Sequence, residues 1–100
     1  SYLTIKTSKV NGLGLFALEN ITLGTNMGMS HLKIGDTIFR TPLGGFINHA
    51  NEANCVKAEL RMTAEDIKGH AYNYKKWNLI TIKDIKEGEE LTVRYTFYNV

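Results

Sequence analysis

Gly44-Gly45-Phe46-Ile47-Asn48-His49-Ala50-Asn51-Glu52-Ala53-Asn54-Cys55 is the stretch on which the fold turns. A glycine pair leads into the apolar pair Phe46-Ile47, and that pair into Asn48-His49, so two polar side chains stand beside residues that seek a core. Buried polar groups need partners. An asparagine amide offers both donors and an acceptor, which suits a ligand carrying an amine and a carboxylate. Taken by itself, the dipeptide reads as satisfying loop backbone. Its neighbours give it weight: Gly12-Leu13-Gly14-Leu15-Phe16-Ala17 upstream, and Gly88-Glu89-Glu90-Leu91-Thr92-Val93-Arg94-Tyr95 downstream.

Working outward, the periodicity is that of strands. Tyr2-Leu3-Thr4-Ile5-Lys6, Leu79-Ile80-Thr81-Ile82-Lys83 and Leu91-Thr92-Val93-Arg94-Tyr95 alternate between apolar and polar residues. Residues 15–18, 37–40 and 56–62 are shorter strand candidates, and nine glycines punctuate the chain as turns would. One segment, Thr63-Ala64-Glu65-Asp66-Ile67-Lys68, reads as a turn or two of helix with Thr63 as its cap. The expected class is mostly β. An internal echo is also visible: Glu19-Asn20-Ile21-Thr22-Leu23-Gly24 and Lys83-Asp84-Ile85-Lys86-Glu87-Gly88 each place a polar pair, an isoleucine and a glycine at matching positions. It fits two similar strand–turn–strand units, and equally two β-turns that simply look alike.

One hundred residues make a single domain, residues 1–100, and an apolar fraction of 43% excludes a disordered chain. A net charge of +2, with Lys75-Lys76 as the one adjacent basic pair, argues against direct nucleic-acid binding. Cys55 is the only cysteine, which excludes an internal disulfide and a cysteine zinc site. No apolar run approaches the roughly 20 residues that span a bilayer, and no signal peptide opens the sequence. The expectation is therefore a cytoplasmic or nuclear protein, not secreted and not in a membrane.

The chemistry-bearing pieces are few. Gly12-x-Gly14 lets a ligand approach the backbone, but it lacks the third glycine and following helix of a dinucleotide site. His49, His31 and His70 lie far apart in sequence with no carboxylate at ligand spacing, so no metal is expected. Tyr95 ends an alternating strand, where a neutral hydroxyl can donate or accept a hydrogen bond; by itself, with Phe97 and Tyr98, it reads as a core or edge aromatic. No serine or phosphate-loop motif is present, and Glu87, Glu89 and Glu90 read as a solvated turn.

In this order the three segments resemble the SET domain, the fold of most protein-lysine methyltransferases that use S-adenosylmethionine. The resemblance spans essentially the whole chain. It implies several small, curved β-sheets and a C-terminal pseudoknot in which the last strand threads a loop formed by the Asn-His segment. It further implies that Asn11, Gly12, Leu13 and Gly14 hold the methionine end of the cofactor through their backbone. Asn48 would bind the amino-acid part, and the backbone of His49 would pair with adenine. Tyr95 would be the catalytic residue beside the transferred methyl group, and His31, Val93 and Phe97 would line the substrate channel.

The mechanism implied is in-line attack of a neutral lysine amine of a protein or peptide substrate on the sulfonium methyl. Desolvation lowers the amine's pKa, and positioning, with a ceiling on the order of 7–11 kcal/mol, does much of the rest. The chain departs from the family pattern at Ala50, Asn51 and Ala53, and it has none of the cysteines of a zinc-bearing C-terminal segment. It is thus similar to a minimal SET domain, and homo-oligomerisation is left open as a way to complete the site. The rival reading is a catalytically inactive SET-like binding module that keeps the fold.

Overall fold

The structure, a computed structural model, describes residues 2–94. Tyr95 and Phe97 therefore lie outside the described residues. Eight strands and one short helix follow in the order β1 (Leu3–Thr7), β2 (Leu13–Ala17), β3 (Asn26–Ile34), β4 (Thr37–Arg40), α1 (Pro42–Phe46), β5 (Asn48–His49), β6 (Cys55–Glu65), β7 (Ala71–Thr81) and β8 (Glu90–Val93). The class is mostly β, as the alternation predicts. The small sheets join into one curled path, β1-β2-β8-β6-β7-β3-β4, with β5 added on β8.

Two details depart from the sequence reading. Residues 63–68 are not helical: Thr63 to Glu65 end β6, and Asp66 opens the turn to β7. Asp66 Oδ1 accepts from the amides of Lys68 and His70, both at 2.9 Å, and Gly69 takes φ +83°. An aspartate that bonds its own downstream backbone favours a turn over a helix. The helix that does form, Pro42–Phe46, contains two glycines and would be poor on propensity. It is held by Thr41 as N-cap and Pro42 in the first turn. The Thr41 hydroxyl also donates to the Met29 carbonyl at 2.7 Å, which fixes the helix to β3.

The internal echo is a pairing. Ile21 and Ile85 exchange backbone hydrogen bonds of 2.7 and 2.8 Å across an isolated antiparallel bridge. Around it two further pairs of bonds match. Gly24 N–H donates to Thr81 O at 2.9 Å and Gly88 N–H to Ala17 O at 2.8 Å, while Asp84 Oδ1 accepts from Leu23 N–H and Asn20 Oδ1 from Glu87 N–H. Gly24 and Gly88 adopt φ +86° and +89°, a region that an L side chain resists. Two similar turns thus clasp each other about a local two-fold axis.

This clasp sits in the core. Ile21 and Ile85 are buried with Leu15, Ala17, Ile47, Cys55, Leu79, Leu91 and Val93. Into that core runs β8, antiparallel to β2 through Leu15↔Leu91 and Phe16↔Glu90. It is also parallel to β5 through Asn48↔Thr92 and His49↔Val93, and to β6 through Cys55↔Val93. The last described strand is therefore bracketed by both arms of the 48–55 segment. β6 and β7, eleven residues each, form the longest hairpin, and the molecule's extents are 46 × 23 × 21 Å.

Candidate functional site

The site begins at the turn between β1 and β2. Ser8 N–H donates to Gly12 O at 2.7 Å, and Ser8 Oγ accepts from Val10 N–H at 2.9 Å. Gly12, at φ +45°, lets the chain reverse and point the carbonyls of Asn11 and Leu13 to one side. Toward them comes Asn48. Its Nδ2 donates to Asn11 O and Leu13 O, each at 3.1 Å, and to Glu90 Oε2 at 2.9 Å. Gly14 has no room for a side chain: a Cβ there would collide with the Glu90 carboxylate and stand 3.1 Å from Asn48 Nδ2. The structure thus gathers Asn11, Gly12, Leu13, Gly14 and Asn48 into one cradle at the head of β2.

Asn54 fixes the strand that closes the cradle. Its Nδ2 donates to Glu90 O and its Oδ1 accepts from Thr92 N–H, both at 2.9 Å, so one side chain serves as a strand partner for β8. Val93, fully buried, belongs to the apolar core, with His49 and Cys55 as its strand neighbours.

His31 lies apart from the cradle, on β3 under α1. Ser30 Oγ donates its single proton to Trp77 O at 3.1 Å, so His31 Nδ1, 3.0 Å from Ser30 Oγ, is the donor in that pair and carries the ring proton. Gly44 permits the contact, since a Cβ there would lie 2.7 Å from His31 Cε1. Burial first, then the charges of Lys57 and Arg40, push His31 down to about 4. His49, exposed at the end of β5, is also lowered, by partial burial and then by Lys57. The buried Lys57, itself lowered by desolvation, thus acts on both histidines and adds to the larger effect of their burial.

Four contributors escape the sequence reading. Glu90 is not part of a solvated turn with Glu87 and Glu89. It opens β8, half-buried, and accepts from Ser8 Oγ at 2.7 and 2.8 Å as well as from Asn48. The alternation Glu90-Leu91-Thr92-Val93 puts Glu90 on the strand and is the signal that would have separated it from the turn. Ser8 and Lys57 carry no motif and are found only through their contacts, whereas Asn54 is visible in the sequence but its clamping role is not. Burial raises Cys55 to about 12, so its thiol is no nucleophile. Among the described residues no three His, Cys, Asp or Glu side chains are grouped to hold a metal ion.

The comparisons agree with this architecture. The family model described as "SET domain" matches residues 29–96. A Plasmodium falciparum protein assigned as a histone methyltransferase superposes with TM-score 0.68 at 15% identity, over 99% of this chain and 96% of that one. Two structures of a humanized mutant of Chaetomium thermophilum Polycomb Repressive Complex 2, bound to the inhibitors GSK126 and GSK343, superpose with TM-score 0.65 at 21% and 23% identity. They match 93% of this chain, which spans 14% and 15% of those longer ones. No curated protein sequence matches. With a family match across most of its length and the same curled sheet, the chain belongs to the SET domain family.

Proposed function

We propose that the protein is an S-adenosylmethionine-dependent protein-lysine N-methyltransferase. The observation that carries the reading is the cradle: in a SET domain, a Gly-x-Gly turn and the Asn of an Asn-His pair, far apart in sequence, meet through Asn48 Nδ2 on the Asn11 and Leu13 carbonyls. Its chemistry fits the amino-acid end of the cofactor. Backbone carbonyls suit an ammonium, and Gly14 lets the Glu90 carboxylate and the Asn48 amide pack against the same end of the strand. Asn11, Gly12, Leu13, Gly14, Asn48 and the His49 backbone would hold the group, which when bound supplies an electrophilic methyl on a sulfonium sulfur.

The remaining work falls to the chain. β8 carries the backbone toward Tyr95, the next residue after Arg94, whose hydroxyl would steady the polarised methyl. A substrate lysine must arrive neutral, which an apolar approach favours by desolvation. The partner is a lysine-bearing protein or peptide in a reducing compartment.

Calorimetric titration with S-adenosylmethionine and S-adenosylhomocysteine tests the site, with one saturable site per chain expected. Label transfer from S-adenosylmethionine to lysine-containing peptides then tests the activity. Tyr95→Phe should lower transfer by at least about a hundredfold, the scale of a lost positioning contact, with cofactor affinity retained. Binding without transfer by the unaltered protein would mark an inactive SET-like module instead, and unchanged turnover in Tyr95→Phe would sink the mechanism.

A further inference from the structure

We infer that the Glu90 carboxylate is the counter-ion for the ammonium of the ligand's amino-acid end, an inference that rests on the cofactor reading above. Three acceptors converge on a single amide nitrogen: Asn11 O, Leu13 O and Glu90 Oε2 all lie within 3.1 Å of Asn48 Nδ2. That NH2 group has two hydrogens for three acceptors, one of them an anion. Turning the amide over would face its oxygen to all three, so the orientation is fixed by the surroundings. The cluster is short of protons and short of positive charge.

Among the described residues no ion pair supplies that charge. Ser8 offers Glu90 one proton, shared between both carboxylate oxygens at 2.7 and 2.8 Å. The two ion pairs among the described residues, His70–Asp66 and Lys75–Glu59, do not involve Glu90. Among the described residues this half-buried carboxylate is met by a hydroxyl and an amide alone, which makes it a site for a cation, because such charges are stabilised by pairing. A primary ammonium has the three donors and the charge that the cluster lacks. Gly14 is what lets the cluster assemble, since a Cβ there would collide with the Glu90 carboxylate where it lies against the turn. Ser8 anchors the carboxylate to the same turn whose carbonyls complete the set.

The test compares two nucleosides that share adenosine and sulfur and differ in the amino-acid tail: S-adenosylhomocysteine and 5′-methylthioadenosine. Each is titrated calorimetrically into the unaltered protein and into Glu90→Gln, which preserves shape and removes charge. Glu90→Gln should weaken S-adenosylhomocysteine by about ten- to a hundredfold, the range of one charge-assisted hydrogen bond, and leave 5′-methylthioadenosine unchanged. Equal affinities in both proteins, or equal losses for both nucleosides, would overturn the inference. The second result would mean that Glu90 acts through the fold.

A measurement on the unaltered protein guards against a poorly folded variant. Replacing the α-amino group of S-adenosylhomocysteine by hydrogen should cost a similar factor, and no cost would overturn the inference. Failure of the unaltered protein to bind any of these nucleosides would remove the cofactor reading itself.

Discussion

Two turns of nearly the same sequence lead to opposite fates. The turn at residues 20–24 delivers the chain to β3, a long strand whose exposure varies along its length; its twin at 84–88 delivers it to β8, whose last three residues are buried. The two clasp through reciprocal bonds of nearly equal length, so the divergence starts only after the glycine. The amides of Gly28 and Thr92 stand at matching positions beyond the two turns, and an asparagine side chain satisfies each. For Gly28 it is the local Asn26, at 2.9 Å; for Thr92 it is Asn54, also at 2.9 Å but thirty-eight residues distant. Local chemistry makes the turn, and a distant clamp makes the strand that closes the cradle.

The sharpest way to break this comparison is to remove each asparagine. Asn54→Ala leaves Thr92 N–H and Glu90 C=O without their partner. It should cost about 3 kcal/mol in denaturant unfolding, since each orphaned group costs roughly 1–3 kcal/mol. Asn26→Ala acts on an exposed local bond and should cost less than about 1 kcal/mol. Equal costs would mean that the distant clamp is incidental.

Acid distinguishes the two branches next. Among their buried residues, β3 carries a histidine that titrates in the acid range and β8 carries Leu91, Thr92 and Val93. His31 is held near 4 in the fold against 6.5 when unfolded, by burial and by Lys57 and Arg40. Between those values the unfolded chain binds the extra proton, so stability falls as pH falls from about 6.5 to 4 and is unaffected by this group above that window. The loss should be about 2 kcal/mol and at most about 3. Urea midpoints measured across the window should show it, and a His31→Phe variant should show a shallower acid limb. The same slope in both proteins would acquit His31.

Smaller effects test the symmetry. Gly24→Ala and Gly88→Ala meet no atom within 4 Å, so their cost is the backbone conformation alone. Each should destabilise by about 1 kcal/mol, and the two values should agree within about half of that. Least of all, Asn20→Ala and Asp84→Ala each remove one exposed bond to the opposite turn and should cost about 0.5–1 kcal/mol apiece. A marked inequality in either pair would show that the turns bear unequal load.

Much of this was legible in the residues themselves. Alternation located β1, the end of β7 and β8, and shorter runs marked β2, β4 and part of β6. The repeated Asn-Ile-x-x-Gly and Asp-Ile-x-x-Gly pattern marked the two turns but not that they bond to each other. Residues 63–68 misled because Thr, Ala and Glu suit a helix start, while the deciding interaction, Asp66 on its own downstream amides, competes within the same few residues. The Pro42–Phe46 helix escaped because its stability comes from Thr41 and from packing on β3 rather than from its glycines. Glu90 escaped for a like reason: three acidic residues in four look solvated until the strand register turns one of them inward.

What the sequence determined alone was whatever depends on neighbours along the chain: the β class, the two like turns that end at Gly24 and Gly88, and the three motifs in order. Tertiary structure alone decided which of two like turns feeds the buried strand. It also decided that Asn48 meets the Asn11 and Leu13 carbonyls and that Glu90 joins them. Those contacts join residues separated by more than thirty positions, and no local propensity can encode them. They exist because burying Leu91 and Val93 between β2, β5 and β6 pins one register, and that register carries the polar side chains with it.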